Sequence, residues 1–197
     1  MSNMVLQMAT CWYPVTVFGP GKKLGIWFQG CNKKCEECIS PEFQPYEGGQ
    51  KIEITCLLER YHMEKPDGLV VSGGEPFDQP EALLDLVKEF ETRYGDDIII
   101  YTGYRLAELQ QKPNDVYREI LRRTAVLIDG RYEPARNTGV GLAGSSNQKI
   151  HILKKHEIYE GADKWKRKIM CILKKTVIFG WLECLHQSDQ KYFDRGG

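Results

Sequence analysis

The chain has 197 residues, of which 42% are hydrophobic and 27% are charged, as in a globular protein with a core of its own. Its 27 lysine and arginine residues balance its 27 aspartate and glutamate residues, so no overall positive field favours nucleic acid or an anionic membrane as a partner. No stretch approaches the roughly 20 apolar residues that span a bilayer, and the start of the chain lacks the pattern of a secretory signal. We therefore expect one domain, or one domain with an appendage, in the cytoplasm.

Apolar periodicity divides the chain into short strands and helices. Strands are predicted at residues 15–18, 24–28, 68–72, 98–101, 125–128 and 149–153. Helices are predicted at residues 54–63, 80–94, 106–110 and 116–122. Glycine, proline and cysteine residues predict a loop from residue 30 to about residue 47. Strands that alternate with helices are typical of βαβ units, so we expect a parallel sheet.

The length of the chain limits the architecture. A closed barrel of eight βα units takes about 250 residues, more than this chain has. The predicted fold is therefore an α/β partial, open barrel of five to six parallel strands, formed by residues 1–155. After His156 the pattern becomes basic and helix-like, so we assign residues 156–197 to a C-terminal extension that docks a partner or covers the edge of the sheet.

Seven cysteines are an odd number, which does not fit a disulfide framework. Cys31, Cys35 and Cys38 lie within eight residues of each other in the predicted loop, and three thiolates at this spacing can bind a metal ion or a cluster. A structural zinc site uses four ligands, and Cys56 or His62 would have to complete it. Three ligands suit a four-iron cluster that keeps one iron open, which the spacing favours over zinc or unligated thiols.

The other cysteines have no comparable spacing. Cys11, Cys56, Cys171 and Cys184 are interpreted as ordinary thiols, because a second cluster at Cys171 and Cys184 would need further ligands. The four histidines also lack the paired spacing of metal ligands.

The cysteine motif and a second motif together carry a resemblance. CxxxCxxC after a strand, followed by SGGEP at residues 72–76 after the next sheet strand, resembles the radical S-adenosylmethionine enzymes. Further motifs follow the same order as in one branch of that superfamily, the activating proteins of anaerobic ribonucleoside-triphosphate reductases. They are GPG at 19–21, WFQGC at 27–31, YTGYRL at 101–106, IDG at 128–130 and GSSNQ at 144–148. The similarity covers about residues 13–152.

The resemblance implies a chemistry. In this family a single 4Fe-4S cluster, here on Cys31, Cys35 and Cys38, binds S-adenosylmethionine through its open iron and cleaves it reductively. The radical so formed removes hydrogen from a glycine Cα of a partner protein. The implied enzyme is an oxidoreductase that works under anaerobic conditions. Its partners are anaerobic ribonucleotide reductase or another glycyl-radical protein, and a low-potential electron donor such as flavodoxin or ferredoxin.

The resemblance also implies which residues contact S-adenosylmethionine, and no catalytic residue beyond the cluster and cofactor. The implied contacts are Glu37, Cys38, Ile39, Gly73, Gly74, Glu75 and Thr102. Gly73 and Gly74 let the backbone approach the methionine end, and Glu75 places negative charge near its ammonium group. Taken alone, the GGEP motif is also typical of an ordinary loop between a strand and a helix. Thr102 is likewise typical of a tight turn at the end of a strand.

Three departures from the family pattern leave alternatives open. Glu37 stands where reductase activators usually carry glycine, Ser40-Pro41 replaces an asparagine-proline pair, and residues 156–197 have no counterpart in short activators. One alternative is a radical enzyme that modifies a peptide or a small metabolite. The other is a zinc-stabilised interaction module without catalytic activity.

Overall fold

The computed structural model describes residues 4–154 and 157–165 of the chain. The strands are β1 (Val5–Val15), β2 (Lys23–Phe28), β3 (Gln50–Glu53), β4 (Gly68–Gly73), β5 (Ile98–Thr102), β6 (Val126–Asp129) and β7 (Lys149–Ile152). The helices are α1 (Ile54–Glu59), α2 (Pro80–Tyr94), α3 (Leu106–Gln110) and α4 (Asp115–Arg123). The predicted bounds of α2 and α3 are confirmed.

The strands form one open sheet in the order β3-β1-β2-β4-β5-β6-β7. β2, β4, β5 and β6 pair in parallel, whereas β1 pairs antiparallel with β2 and β3, and β7 pairs antiparallel with β6. The α/β class is confirmed, but four strands pair in parallel where five to six were expected. The link between β1 and β2 is too short for a crossover, which needs a dozen or more residues, so these two strands must run antiparallel.

Two strands differ from the prediction. β1 ends at Val15, where a strand was predicted to begin. The strand was missed because its buried residues Leu6 and Met8 are separated by Gln7 and belong to no long apolar run. β3 was not predicted, since Ile52 is its one buried residue. These strands place β2 inside the sheet rather than at its edge.

The central strands are buried on both faces, as in parallel sheets generally. Alternate residues face two clusters: Val71 and Ile100 pack with the helices, while Val70 and Ile99 pack with the segments that follow β6 and β7. The helix-covered cluster includes Phe90 of α2. Within the described part of the chain, no helix is long and apolar enough to cross a membrane.

The described part of the predicted extension contacts the sheet. Residues 157–165 contain a 3-10 turn, Glu157–Tyr159, and the ring of Tyr159 is fully buried and stacks on Trp165. The proposed thiols Cys171 and Cys184 lie outside the described residues.

At the amino ends of the strands lies a buried ion pair. Lys23, the first residue of β2, is fully buried and pairs with Asp97, which precedes β5. The hydroxyl of Tyr159 donates to the same carboxylate. A side chain on Gly68 would lie 2.8 Å from the Lys23 ammonium, so the glycine makes room for the pair.

Candidate functional site

The carboxyl ends of β2, β4, β5 and β6 meet at one edge of the sheet and form a cleft of about 390 Å³. This is the edge at which parallel α/β sheets bind their ligands. Its lining brings together residues that lie far apart in the chain: Phe18, Trp27, Cys31, Lys33, Cys35, Cys38, Ile39, Ser40, Gln44, Ser72, Gly73, Gly74, Glu75, Tyr101, Thr102, Gly103, Gly130, Arg131, Tyr132, Asn137, Leu142, Gly144 and Gln148.

The cysteine loop, residues 29–49, leaves β2 and folds back on itself. The Cys31 N–H donates to the Gln44 carbonyl at 2.9 Å, and the Gln44 side-chain amide donates to the Cys35 carbonyl at 3.0 Å. Gly30 has φ of +93°, and the ring of Tyr46 occupies the place where a side chain would stand. The loop thus holds the cysteines over the end of β2.

Three glutamines fasten the cysteine loop to the sheet. Gln29 Nε2 donates to the Pro45 carbonyl at 2.7 Å, and Gln7 Nε2 donates to the Tyr46 carbonyl at 2.6 Å. Gln79 Nε2 donates to the carbonyls of Gln7 and Gln29, each at 2.9 Å. Together these amides connect the cysteine loop to β1 and to the segment after β4 and so hold the shape of the loop. Sequence reasoning missed them, because isolated glutamines resemble surface residues.

The two glycines after β4 have different reasons to lack a side chain. Gly73 has φ of +107°, which favours glycine. Gly74 has no positive φ, but a Cβ there would lie 2.1 Å from the Gly30 carbonyl oxygen. The Glu75 N–H donates to the same oxygen at 2.8 Å. The immediate neighbour of Gly74 is thus the cysteine loop, which the sequence did not predict.

Glu75 is 1% exposed and connects the end of β4 to the end of β5. Its carboxylate accepts hydrogen bonds from Thr102 Oγ1 at 2.8 Å, from the Gly103 N–H at 2.8 Å and from the Phe77 N–H at 3.1 Å. Burial raises the pKa of Glu75 to about 7, although these three hydrogen bonds act to lower it. Glu75 and Thr102 therefore meet directly on the wall of the cleft.

Asp129, at the end of β6, organises the next part of the wall. It is 2% exposed and accepts a hydrogen bond from the Leu106 N–H at 2.8 Å, while His151 Nε2 lies 2.9 Å from it and Arg105 Nη1 lies 3.3 Å from it. Burial acts to raise the pKa of Asp129, but these partners together hold it below its usual value. The Arg105 guanidinium occupies the place of a side chain on Gly130, which has φ of +101°.

The GSSNQ segment closes on itself by the side chain of its last residue. Gln148 Oε1 accepts hydrogen bonds from the N–H groups of Gly144 at 2.7 Å and Ser145 at 3.1 Å. Gln148 Nε2 donates to the Gly130 carbonyl at 2.7 Å. The motif therefore fixes the turn that lines the far side of the cleft.

Most of the residues that the sequence singled out line this one cleft. The exception is Glu37, whose side chain is exposed and does not belong to the lining. Ile39 lines the mouth and is 78% exposed. Sequence reasoning missed Arg131 and Tyr132, which follow the IDG motif directly. Their position just after a parallel strand was the signal that could have identified them.

The three cysteines of the motif line the same cleft, and cysteine thiolates are the usual ligands of iron–sulfur clusters. In the described parts of the chain, no three His, Cys, Asp or Glu side chains converge as ligands of one metal ion. In a cubane, by contrast, each thiolate binds a different iron, so the three sulfurs need not converge on one point. Cys56 and His62, which would complete a zinc site, belong to α1 and the turn after it and are absent from the lining of the cleft. Burial raises the pKa of the Cys31 thiol, and the charges of Glu75 and Asp78 raise it further.

Comparisons with known proteins identify the family of this chain. Residues 17–151 match a protein family described as a 4Fe-4S single cluster domain. The chain is 32% identical over 150 residues to an anaerobic ribonucleoside-triphosphate reductase-activating protein of Vibrio cholerae serotype O1, covering 71% of this chain and 94% of the relative. The protein of the same name from Enterobacteria phage T4 is 31% identical over 140 residues, or 68% of this chain and 86% of the relative. A pyruvate formate-lyase-activating enzyme of Clostridium pasteurianum is 32% identical over 120 residues, or 57% of this chain and 47% of the relative.

Proposed function

Because this chain belongs to the 4Fe-4S single-cluster family of anaerobic ribonucleoside-triphosphate reductase-activating proteins, we propose that it generates a glycyl radical on such a reductase. It is an enzyme of the glycyl-radical activase type, and its cofactors are a 4Fe-4S cluster and S-adenosylmethionine. The observation that supports the proposal most directly is the meeting of the cysteine motif and the GGE motif in one cleft.

Cys31, Cys35 and Cys38 are the proposed cluster ligands. The other proposed cofactor contacts are Ile39, Gly73, Gly74, Glu75 and Thr102, together with Cys38 and the backbone of Glu37. The cluster and S-adenosylmethionine supply the radical chemistry that removes a hydrogen atom from a glycine Cα. The residues of the chain orient these groups. The GGE segment offers backbone carbonyls, since the N–H groups of Gly74 and Glu75 already donate within the protein. The walls formed by Glu75, Thr102 and the GSSNQ turn exclude water from part of the cleft.

The wider assignments are also part of the proposal. We propose that the sheet is the partial barrel of a radical S-adenosylmethionine core, residues 1–155, and that residues 156–197 are an extension. We further propose that the protein works in the cytoplasm with flavodoxin or ferredoxin as electron donor, without nucleic acid or a membrane as partner. The names of the relatives, which are activators of a reductase and of a lyase, support a protein substrate.

The direct test mixes the reconstituted protein with a candidate reductase, S-adenosylmethionine and a low-potential reductant under strict anaerobiosis. We expect slow cleavage of S-adenosylmethionine by the protein alone and a stable glycyl radical, measured by electron paramagnetic resonance, when the reductase is present. The Cys35→Ala variant is the negative control. If cleavage were the same with every glycyl-radical candidate, and a small molecule consumed the radical instead, the activity would be that of a metabolite-modifying enzyme.

A truncation tests whether the extension docks the reductase. Deleting residues 156–197 would also remove Tyr159, which is buried in the fold, so the informative deletion starts at residue 166. We expect this deletion to impair radical transfer more than the uncoupled cleavage of S-adenosylmethionine. Equal effects on both reactions would show that the segment has no docking role.

A further inference from the structure

We propose that Asp78 is a positioning residue, which holds the start of the cysteine loop in place and sets the negative charge beside Cys31. This inference rests on the proposed cluster site and adds a residue to it that neither the cysteine motif nor the GGE motif contains. Asp78 ends the short 3-10 turn that follows the GGE segment.

Each oxygen of the Asp78 carboxylate has a partner near the cysteines. Oδ2 accepts hydrogen bonds from the Asn32 N–H at 2.8 Å and from the Tyr46 hydroxyl at 2.7 Å. Oδ1 accepts a longer one from the Tyr104 hydroxyl at 3.3 Å. One carboxylate thus joins the beginning of the cysteine loop, its end, and the segment after β5.

These contacts close a ring around Asn32. Its backbone N–H donates to Asp78, and its side-chain Nδ2 donates to the Tyr104 hydroxyl at 2.9 Å. Tyr104 is also covered by the Lys33 ammonium, which lies 3.0 Å from the centre of its ring. Because Tyr46 packs on Gly30, the residues on both sides of Cys31 are held by groups that converge on Asp78.

The carboxylate also acts on Cys31 through its charge. The Asp78 carboxylate lies 2.8 Å from the backbone nitrogen of Asn32, the residue that directly follows Cys31, so its negative charge stands close to that cysteine. Net charge and hydrogen bonding near the sulfurs are among the factors that set the potential of an iron–sulfur cluster. A negative charge here opposes the addition of an electron, so its removal should make reduction easier.

The test compares Asp78→Asn with the wild type after anaerobic reconstitution, without any reductase. The asparagine has nearly the same shape but no charge, and its amide cannot accept all three hydrogen bonds. We expect the reduction potential of the cluster to shift upward. We also expect a chelator to remove iron about tenfold faster, which corresponds to a loss of about 1.4 kcal/mol in the stabilisation of the bound cluster. Asp115→Asn is the matched control: this aspartate lies on the exposed surface of α4 and pairs with Arg118.

Two further variants separate position from charge. Tyr104→Phe and Tyr46→Phe each remove one hydroxyl that donates to Asp78 but keep the carboxylate. Both should release iron faster than the wild type while keeping its potential, and Asp78→Glu should restore the potential but not the release rate. If Asp78→Asn does not fold, Tyr104→Phe decides the question of position by its iron-release rate.

Two failures can be told apart. Wild-type protein that binds no four-iron cluster would contradict the proposed function itself. A wild type with its cluster, together with an Asp78→Asn variant of unchanged potential and unchanged iron release, would overturn only the role of Asp78. An unchanged iron-release rate in Tyr104→Phe would likewise overturn the positioning role.

Discussion

The two ends of the parallel strands are built from different chemistry. At the carboxyl ends, glycines such as Gly74 bring backbone groups close together around an open cleft, and the buried carboxylate of Glu75 forms part of its wall. At the amino ends, Lys23, Asp97 and Tyr159 form a buried cluster that joins two strands to the segment after β7. The comparison indicates that ligand binding and fold stability are concentrated at opposite ends of the same strands. Substitutions at the carboxyl ends should therefore impair cluster and cofactor binding, whereas substitutions at the amino ends should lower the free energy of unfolding.

The largest expected effect is at the carboxyl end. Replacing Cys31, Cys35 or Cys38 by alanine removes one of the three proposed thiolate ligands, so the cluster absorbance and the reductive cleavage of S-adenosylmethionine should both disappear. The thermal midpoint of the apoprotein should change little. Cys56→Ser, outside the cleft, should keep about four irons per chain by chemical analysis. A triad variant that kept its full iron content would show the ligand assignment to be wrong.

The next effect is at the amino end. Asp97→Asn removes the charge that pairs with the fully buried Lys23, and breaking a buried pair costs about 4 kcal/mol. Denaturant unfolding should show this loss, whereas the folded fraction should still bind S-adenosylmethionine with wild-type affinity. The matched control is Asp115→Asn, an exposed pair whose loss should cost less than about 1 kcal/mol. If both variants lost the same free energy of unfolding, the buried ion pair would stabilise the fold no more than an exposed one.

Gly74→Ala should disrupt the site at the carboxyl ends of the strands, because the added methyl group overlaps the cysteine loop. Its Cβ would lie 2.1 Å from the Gly30 carbonyl oxygen, so the cysteine loop must move. We expect a cost of about 3 kcal/mol, as for overpacking against backbone, and a loss of cluster and cofactor binding together. Iron content and unfolding free energy measure the two effects. Gly139→Ala is a control for glycine loss in a site where a Cβ meets no neighbour, although its φ of +67° adds some strain.

The smallest effect is a pH dependence of stability. The pKa of Glu75 is raised from 4.5 to about 7 in the folded chain, so the folded state binds more protons than the unfolded state between these values. The contribution of Glu75 to stability is therefore complete below about pH 4.5 and is lost as the pH rises through 7. Between pH 5 and pH 7 the loss should be about 2 kcal/mol.

Urea unfolding of the apoprotein at these two pH values measures that loss. Glu75→Gln has no titrating group, so its stability should lack this component of the pH dependence. A wild type and a Glu75→Gln variant with parallel pH profiles would rule out titration of this carboxyl.

Local patterns predicted the parts of the molecule that depend on neighbouring residues. The apolar spacing of Leu83, Leu86 and Phe90 predicted α2, and glycine, proline and cysteine residues predicted the loop after β2, whose three cysteines line the cleft. Separate motifs meet in one cleft because each follows a parallel strand, and the carboxyl ends of parallel strands lie at the same edge of the sheet. Such features need no knowledge of the tertiary structure.

The missed features depend on long-range contacts. Gln7 and Gln79 are 72 positions apart, and neither side chain belongs to a recognisable pattern. The bond from Asp78 to Asn32 spans 46 positions. Glu37 was predicted beside the cofactor because the family resemblance places the residues next to the third cysteine near the adenosine, but its side chain is exposed. Sequence adjacency does not fix the direction of a side chain in an irregular loop.

We expect the same long-range bonds to decide when iron can be inserted relative to the folding of the chain. The cysteine loop is fastened from outside by Gln7 of β1 and by Gln79 after β4, so its shape depends on the pairing of the strands next to these residues. Contacts between distant positions form slowly, since the chain must first close long loops. Small zinc modules fold around their metal, whereas this loop is shaped by hydrogen bonds within the polypeptide. We therefore expect iron insertion to follow the folding of the chain rather than to drive it.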